Sequence, residues 1–193
     1  MHTGYFAVLV GRYRLTWDDG LPDDYYTQRQ QATIVDEISL DDADQHLGVL
    51  SVGLSDGSWP FLILRHGGVV PWEKDTLRLD VVLVPETDTL FVGEDRAVWA
   101  YNLRQPARLW TDTAEMGFLG WQRHGGVVVM SAELELAAWD LQGHKLWSTF
   151  VEPPYDYTIA DDTVQLTVMG MLTTFPLGIG PSWGGSLPWL NKR

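Results

Sequence analysis

The sequence predicts an all-β protein, on three observations. The hexapeptide RHGGVV occurs at 65–70 and again at 123–128, each time after an apolar stretch. A second similarity has a longer reach: TLFVGEDRAVWAYNL, ending at Leu103, lies over VVVMSAELELAAWDL, ending at Leu141, and a fainter third copy, VQLTVMGMLTTFPL, ends at Leu177. Fixed-period self-similarity of this kind is the signature of a repeat architecture. Finally, β-branched and aromatic residues dominate, while 19 Gly and 10 Pro punctuate the chain at strand-and-turn intervals.

Along the chain, MHTGYFAVLVGRYRLTW opens with a short apolar run that no basic segment precedes, and no stretch approaches the ~18 apolar residues of a membrane span. A soluble, cytoplasmic protein is expected. The segment after Ser39, LDDADQHL followed by Gly48, carries an N-cap, early acids and a terminal glycine, which predicts one short helix at 40–47. GVLSVGL, WPFLILR and GGVVPW read as strands out of register with the later copies. In both hexapeptides the Gly-Gly pair reads as a hairpin turn. The first full copy then runs VVLV, LFVG, AVWAYNL and RLW; the second FLGWQ, VVVMSA, ELELAAWDL and KLWSTF; the third YDY, VQLTV and MLTTFPL. About four short strands in ~38 residues is close to the length of a four-stranded propeller blade. The expected fold is therefore a β-propeller-like stack of about four short-stranded antiparallel units with an irregular acidic N-terminal segment. It is read as a single domain over 1–193, with the N-terminal segment at 1–41 and the repeats at 42–193.

The segment AWDLQGHKLW, from Ala138 to Trp147, resembles the repeat of pyrroloquinoline-quinone-type propeller proteins: a small residue, an acid, a glycine turn and a closing tryptophan. AYNLRQPARLW, from Ala100 to Trp110, is similar, with Asn102 in the acidic place. The resemblance covers 81–113 and 118–150 and is specific for the blade. It implies that Trp110 and Trp147 dock neighbouring blades. The quinone enzymes are several times longer and hold their cofactor with residues from many blades, so no cofactor is expected here, and a binding protein is expected rather than an enzyme.

The chemistry available is narrow. Zero cysteines exclude disulfides, thiolate metal sites and cysteine nucleophiles. The five histidines show no metal-ligand spacing, and no GxSxG elbow or phosphate loop occurs. His66 and His124 sit at the two RHGG copies, either as a pair on one rim or as turn chemistry reused by duplication. Acid doublets occur at Asp18-Asp19, Asp23-Asp24, Asp41-Asp42 and Asp161-Asp162, and Glu133 with Glu135 would share one side of a strand. No catalytic residue and no metal ligand is assigned.

Charge is the sharper clue. The net charge is −13, and residues 15–48 hold nine acids against the single base Arg29. Such a balance opposes nucleic acid and anionic lipid and suits a basic protein partner. Aromatic residues interleave with the acids, so Trp17, Asp18, Asp19, Asp23, Asp24, Tyr25 and Tyr26 are the expected partner-binding residues, by analogy with toxin-neutralising immunity proteins. The alternative is a carbohydrate or other small-ligand protein, or a glycosidase, using Trp17, Trp183, His66 and His124.

Overall fold

A computed structural model describes residues 5–39, 46–57, 62–68 and 80–182. The protein is all-β, with four sheets and one short helix among the described residues. They fall into two compact units: the residues up to 68 together with Tyr101–Arg108, and the remainder.

The first unit is built from β1 (Tyr5–Val10), β2 (Tyr13–Asp19), α1 (Tyr25–Gln31), β3 (Ile34–Ser39), β4 (His46–Leu54) and β5 (Leu62–Gly68). Its five strands lie in the order β1-β2-β4-β5-β3, antiparallel except that β3 runs parallel to β5 as an edge. The acidic stretch thus enters the sheet as β2 and β3, and β2 carries alternating residues that a two-faced sheet can sort. On β2, Tyr13 and Leu15 are buried on one face while Arg14, Thr16 and Asp18 point to the other. Trp17 shares the Tyr13 face and lies across Gly48 of β4, so closely that a Cβ there would overlap its indole. Helix α1 covers the Arg14 face, where Tyr25 packs with Val49 and Ile63.

Two sequence expectations change here. The helix predicted over 40–47 has its first six residues outside the described residues, and His46 and Leu47 belong to β4. The described helix, YYTQRQQ, was not anticipated because it buries one residue, Tyr25, and so displays no amphipathic period. The first RHGG copy is not a turn either. His66, Gly67 and Gly68 continue β5, opposite Gly48, Leu47 and His46 of β4.

The repeats run as consecutive meanders. The first sheet is β6 (Asp80–Val84), β7 (Thr89–Glu94), β8 (Ala97–Asn102) and β9 (Ala107–Thr113); the second is β10 (Phe118–His124), β11 (Val127–Ala132), β12 (Glu135–Asp140) and β13 (Lys145–Phe150). The third has three strands, β14 (Tyr155–Ala160), β15 (Thr163–Val168) and β16 (Met171–Pro176). All three sheets lie within the second unit except Tyr101–Arg108, the end of β8 and the start of β9, which belong to the first. The hairpins β7–β8, β11–β12 and β15–β16 coincide with the three sequence copies. The Asp161-Asp162 doublet is turn chemistry: both residues have positive φ (49° and 55°), as a two-residue hairpin of the right twist requires. Glu133 lies in the turn before β12 and Glu135 begins that strand, so the two do not share a strand as expected.

The sheets pack face to face. Phe91, Val98 and Ala100 of the first sheet meet Phe118, Trp121, Val128, Met130 and Trp139 of the second. The opposite face of the second, with Val129, Leu136, Ala138 and Trp147, meets Val164, Leu166, Val168 and Phe175 of the third. One device is repeated at both junctions. The indole of Trp110, in β9, stacks on Trp139 with centroids 5.4 Å apart and donates to the Gly143 carbonyl at 2.6 Å. Trp147, in β13, meets Phe175 edge-on at 5.3 Å and donates to the Leu177 carbonyl at 2.6 Å. Each copy's closing tryptophan therefore docks on the turn that follows the next copy's hairpin.

The acidic place in the repeat has its own structural task. Asp140 accepts from the backbone N–H groups of Gln142 and His144 at 2.9 and 2.8 Å, and Asn102 accepts likewise from Arg104 and Gln105 at 2.9 and 3.0 Å. Each closes a turn by satisfying donors that the turn would otherwise strand. Since Trp147 is buried and bonded, Trp147→Ala is expected to cost about 3–5 kcal/mol. Trp110→Ala, at a half-exposed position, is expected to cost clearly less; urea unfolding of the two variants at one pH checks the order.

Candidate functional site

The first unit contains a cavity of about 420 Å³ on the β2–β4 face that α1 partly covers. Its origin is local. Pairing across β2 and β4 sets Arg14 opposite Gly53, Thr16 opposite Ser51 and Asp18 opposite Val49. Gly53 supplies no side chain to fill the space beside Arg14. Helix α1 is seven residues long and seats its buried Tyr25 over Val49 and Ile63, which leaves the Arg14 end of the face open. The lining is Arg14, Thr16 and Asp18 of β2, Pro22, Asp24 and Gln28 at the helix, and Ser51, Gly53, Leu54, Ser55 and Gly57 at the end of β4 and beyond.

A hydrogen-bonded chain fixes one wall. The buried Ser51 hydroxyl donates to Gln28 Oε1 at 3.2 Å, and Gln28 Nε2 donates to Asp24 Oδ1 at 2.8 Å. The amide orientation is thereby set at both ends. Below the helix, Arg29 Nε lies 3.2 Å from Glu37 Oε1, and the Tyr25 hydroxyl donates to the same oxygen at 3.4 Å. Asp36 accepts from the Tyr101 hydroxyl at 2.7 Å and lies 3.3 Å from Arg108. The acids of β3 are thus engaged in holding the unit together, while Asp23 and Asp24 stand exposed at the start of α1.

The structure separates the residues singled out from sequence. Asp18 and Asp24 line the cavity, but Trp17 lies on the opposite face of β2, because neighbours on a strand point apart. Asp19 closes β2 opposite Gly48. Tyr25 is only 2% exposed and belongs to the core. Tyr26, beside it, is 69% exposed, and its ring is propped edge-on against Tyr25 with centroids 5.4 Å apart. His66 is a mid-strand residue of β5, whereas His124 ends β10, where its Nε2 is 3.2 Å from Gln122 Oε1. The two RHGG histidines therefore do not occupy equivalent positions. Trp183 lies outside the described residues, as do Asp41, Asp42 and Asp44.

Arg14, Thr16, Gln28, Ser51 and Ser55 were not anticipated as site residues. A signal for the first two was present: YRLTWD at 13–18 alternates apolar and polar residues, which marks a strand with one polar face. Among the described residues, no group of three or more His, Asp or Glu is arranged to hold a metal ion, and no helix is long and apolar enough to cross a membrane.

Three groups of the second unit have displaced pKa values. Burial pushes Glu94 up to about 7, with the neighbouring Asp95 charge adding to the effect. Burial also pushes Tyr155 up to about 12, its hydroxyl donating to the Ala132 carbonyl at 2.6 Å. Asp112 is partly desolvated, yet its hydrogen bond from Lys145, at 2.9 Å, holds it below the ordinary carboxylate range.

No family model matches the chain, and no curated protein matches it. Among solved structures it is similar to the β-propeller domain of the Trilobed protease from Pyrococcus furiosus, at 5% identity over 87% of this chain and 50% of that one, with a TM-score of 0.47. BamB from Moraxella catarrhalis aligns at 12% identity over 73% and 45%, with a TM-score of 0.40. Saccharomyces cerevisiae Sqt1 aligns at 10% identity over 72% and 45%, with a TM-score of 0.41. The chain thus spans half or less of the length of these three structures.

The Glu94 environment has a measurable consequence. A carboxyl whose folded pKa lies above its unfolded value of 4.5 favours folding while protonated, so its contribution is intact below pH 4.5 and is lost as pH rises through 7. Glu94→Gln is expected to remove that loss, worth up to about 3 kcal/mol at pH 8. Unfolding midpoints of both proteins between pH 5 and 8 should converge at the acid end and separate at the alkaline end.

Proposed function

We propose that this protein is a non-catalytic interaction protein that engages a basic protein partner through the exposed start of helix α1. The observation that carries the reading is the placement of Tyr26. It is a large aromatic side chain left mostly in solvent, yet its ring is held edge-on against the buried Tyr25, and the exposed Asp23 and Asp24 precede it. An aromatic anchor whose conformation is already restricted costs little further entropy on binding, and an acidic surround raises encounter rates with a cationic surface. Leu21, in the segment just before the helix, is also exposed. The charge balance points the same way, because the acids of 15–48 are concentrated in this unit of the chain.

The carbohydrate alternative draws less support. Its aromatic residue Trp17 spends one ring face on Gly48, and His124 bonds within its own strand end.

The reading is tested with tagged full-length protein captured from its native lysate at low and high salt. One stoichiometric basic partner is expected, released at high salt, with Tyr26→Ala weakening its retention by at least about tenfold. Asp23→Asn combined with Asp24→Asn is expected to flatten the salt dependence. Capture of nothing, or of a partner indifferent to salt and to all three substitutions, would overturn it.

A further inference from the structure

We infer that the edge of the third sheet, strand β16, is where a second copy of this chain pairs, antiparallel and across a two-fold axis at Thr173. The inference goes beyond partner binding at Tyr26 and does not depend on it. Among the described residues no strand lies beyond β16, whereas the first and second sheets of the repeat each carry a fourth strand at the corresponding place. Edge strands present N–H and C=O groups without a ladder partner, and charged side chains ordinarily guard them. Of the edge strands in the four sheets, only β1 and β16 contain no charged residue. The strand paired with β1 is β2, which carries Arg14, Asp18 and Asp19, whereas the strand paired with β16 is β15, which carries none. Sequence from Thr163 through Asn191 is free of charge in a chain of net charge −13.

The hairpin tip is apolar as well. Met169 and Gly170 form the two-residue turn between β15 and β16, with φ of 50° and 80°, a conformation usually filled by Asn-Gly or Asp-Gly. Met169, Met171 and Leu172 are all exposed, Leu172 by 62%. Apolar side chains thus stand where a solvated turn favours polar ones.

Charge and ladder geometry together identify the occupant. A basic partner finds no acid on this edge and an acidic partner no base, but a second copy brings the same uncharged strand, so two acidic chains meet where neither presents a charge. An antiparallel edge is also complementary to itself under a two-fold axis. Counting from the two-residue turn, Val168 with Met171 and Leu166 with Thr173 are the hydrogen-bonded pairs, so Leu172 and Thr174 direct their N–H and C=O groups outward. Pro176 is next in that row and has no N–H to offer. Setting Leu172 against Thr174 of the second copy meets both outward donors and both outward acceptors of each chain. Sliding by two residues in either direction sets one of them against Gly170 of the turn or against Pro176. The favoured register therefore places Thr173 opposite itself and Met171 opposite Phe175 of the second copy.

Sedimentation of the full-length protein between about 1 and 100 µM, at about 0.05 and 0.5 M salt, tests the pairing. A reversible dimer is expected, tightened several-fold at the higher salt because screening weakens the repulsion between like-charged chains. That sign is opposite to the one expected for a basic partner at Tyr26, so failure here and failure of that reading are distinguishable. Leu172→Lys should raise the dissociation constant by at least about tenfold while leaving the circular dichroism spectrum unchanged, which separates loss of the interface from loss of the fold. The chain has no cysteine, so Thr173→Cys should give a disulfide-linked dimer on mild oxidation, since non-hydrogen-bonded partners across a ladder lie about 4.5 Å apart at Cα. Gln165→Cys, exposed on β15, should stay unlinked. A monomer at every concentration, with the edge taken by another part of the chain or by a different protein, would overturn the inference. So would a dimer that Leu172→Lys leaves intact, or one that Thr173→Cys does not link.

Discussion

The second unit depends on one interaction used twice, an indole N–H given to a backbone carbonyl of the next sheet. Trp110 donates to Gly143 and Trp147 to Leu177, both at 2.6 Å. A tryptophan at a sheet junction brings the largest apolar side chain together with one donor, and burial is favourable only if the donor is met. The carbonyl that meets it lies in the turn after the partner hairpin, so apolar packing and turn geometry must be right together. Two glycines make the approach possible. Gly143 and Gly180 both have positive φ, and a Cβ on Gly143 would press on Trp110 while one on Gly180 would overlap Trp147. The residues before these turns then acquire their meaning. Asp140 closes the turn that presents Gly143, with His144 bonding its second oxygen at 2.8 Å, and Asn102 closes the corresponding turn one copy earlier.

The first unit obeys a different constraint. A five-stranded sheet has two faces, and one short helix cannot cover the Arg14 face. The sequence meets this by making the uncovered part polar: arginine, threonine and aspartate alternate on β2, with serine and glycine opposite. Polar groups on a partly covered face need partners of their own, and the Ser51–Gln28–Asp24 chain supplies some of them. The cavity is what remains when a seven-residue helix is pinned at one end by Tyr25. The same pinning orients Tyr26. Successive helix residues are turned by about 100°, so a buried tyrosine obliges its neighbour to face solvent.

The repeat was legible in the sequence because its spacing is enforced by local chemistry. Strand lengths, turn residues and the closing tryptophan recur together, and each copy folds mostly on itself. Helix α1 was not legible, since a single buried residue leaves no period to detect. The cavity was half legible: the alternation of YRLTWD marks a polar face, but Gln28 and Ser51 reach it from elements that nothing in the local pattern joins. Acid doublets misled in both directions. Asp161-Asp162 is a turn, and Trp17 and Asp18, adjacent in sequence, look out from opposite faces.

The hexapeptide RHGGVV divides the two kinds of information. By itself the sequence determined that the chain is all-β, that its second half repeats every 36 to 38 residues and that Trp110 and Trp147 close successive copies. What RHGG becomes was decided by what pairs with it. At 123–126 the next strand folds straight back, and Gly125 turns with positive φ. At 65–68 β4 lies alongside, and the same glycines stay extended in its ladder. Glycine is permissive in both conformations, so its neighbours across the sheet, and not its own preferences, choose between them.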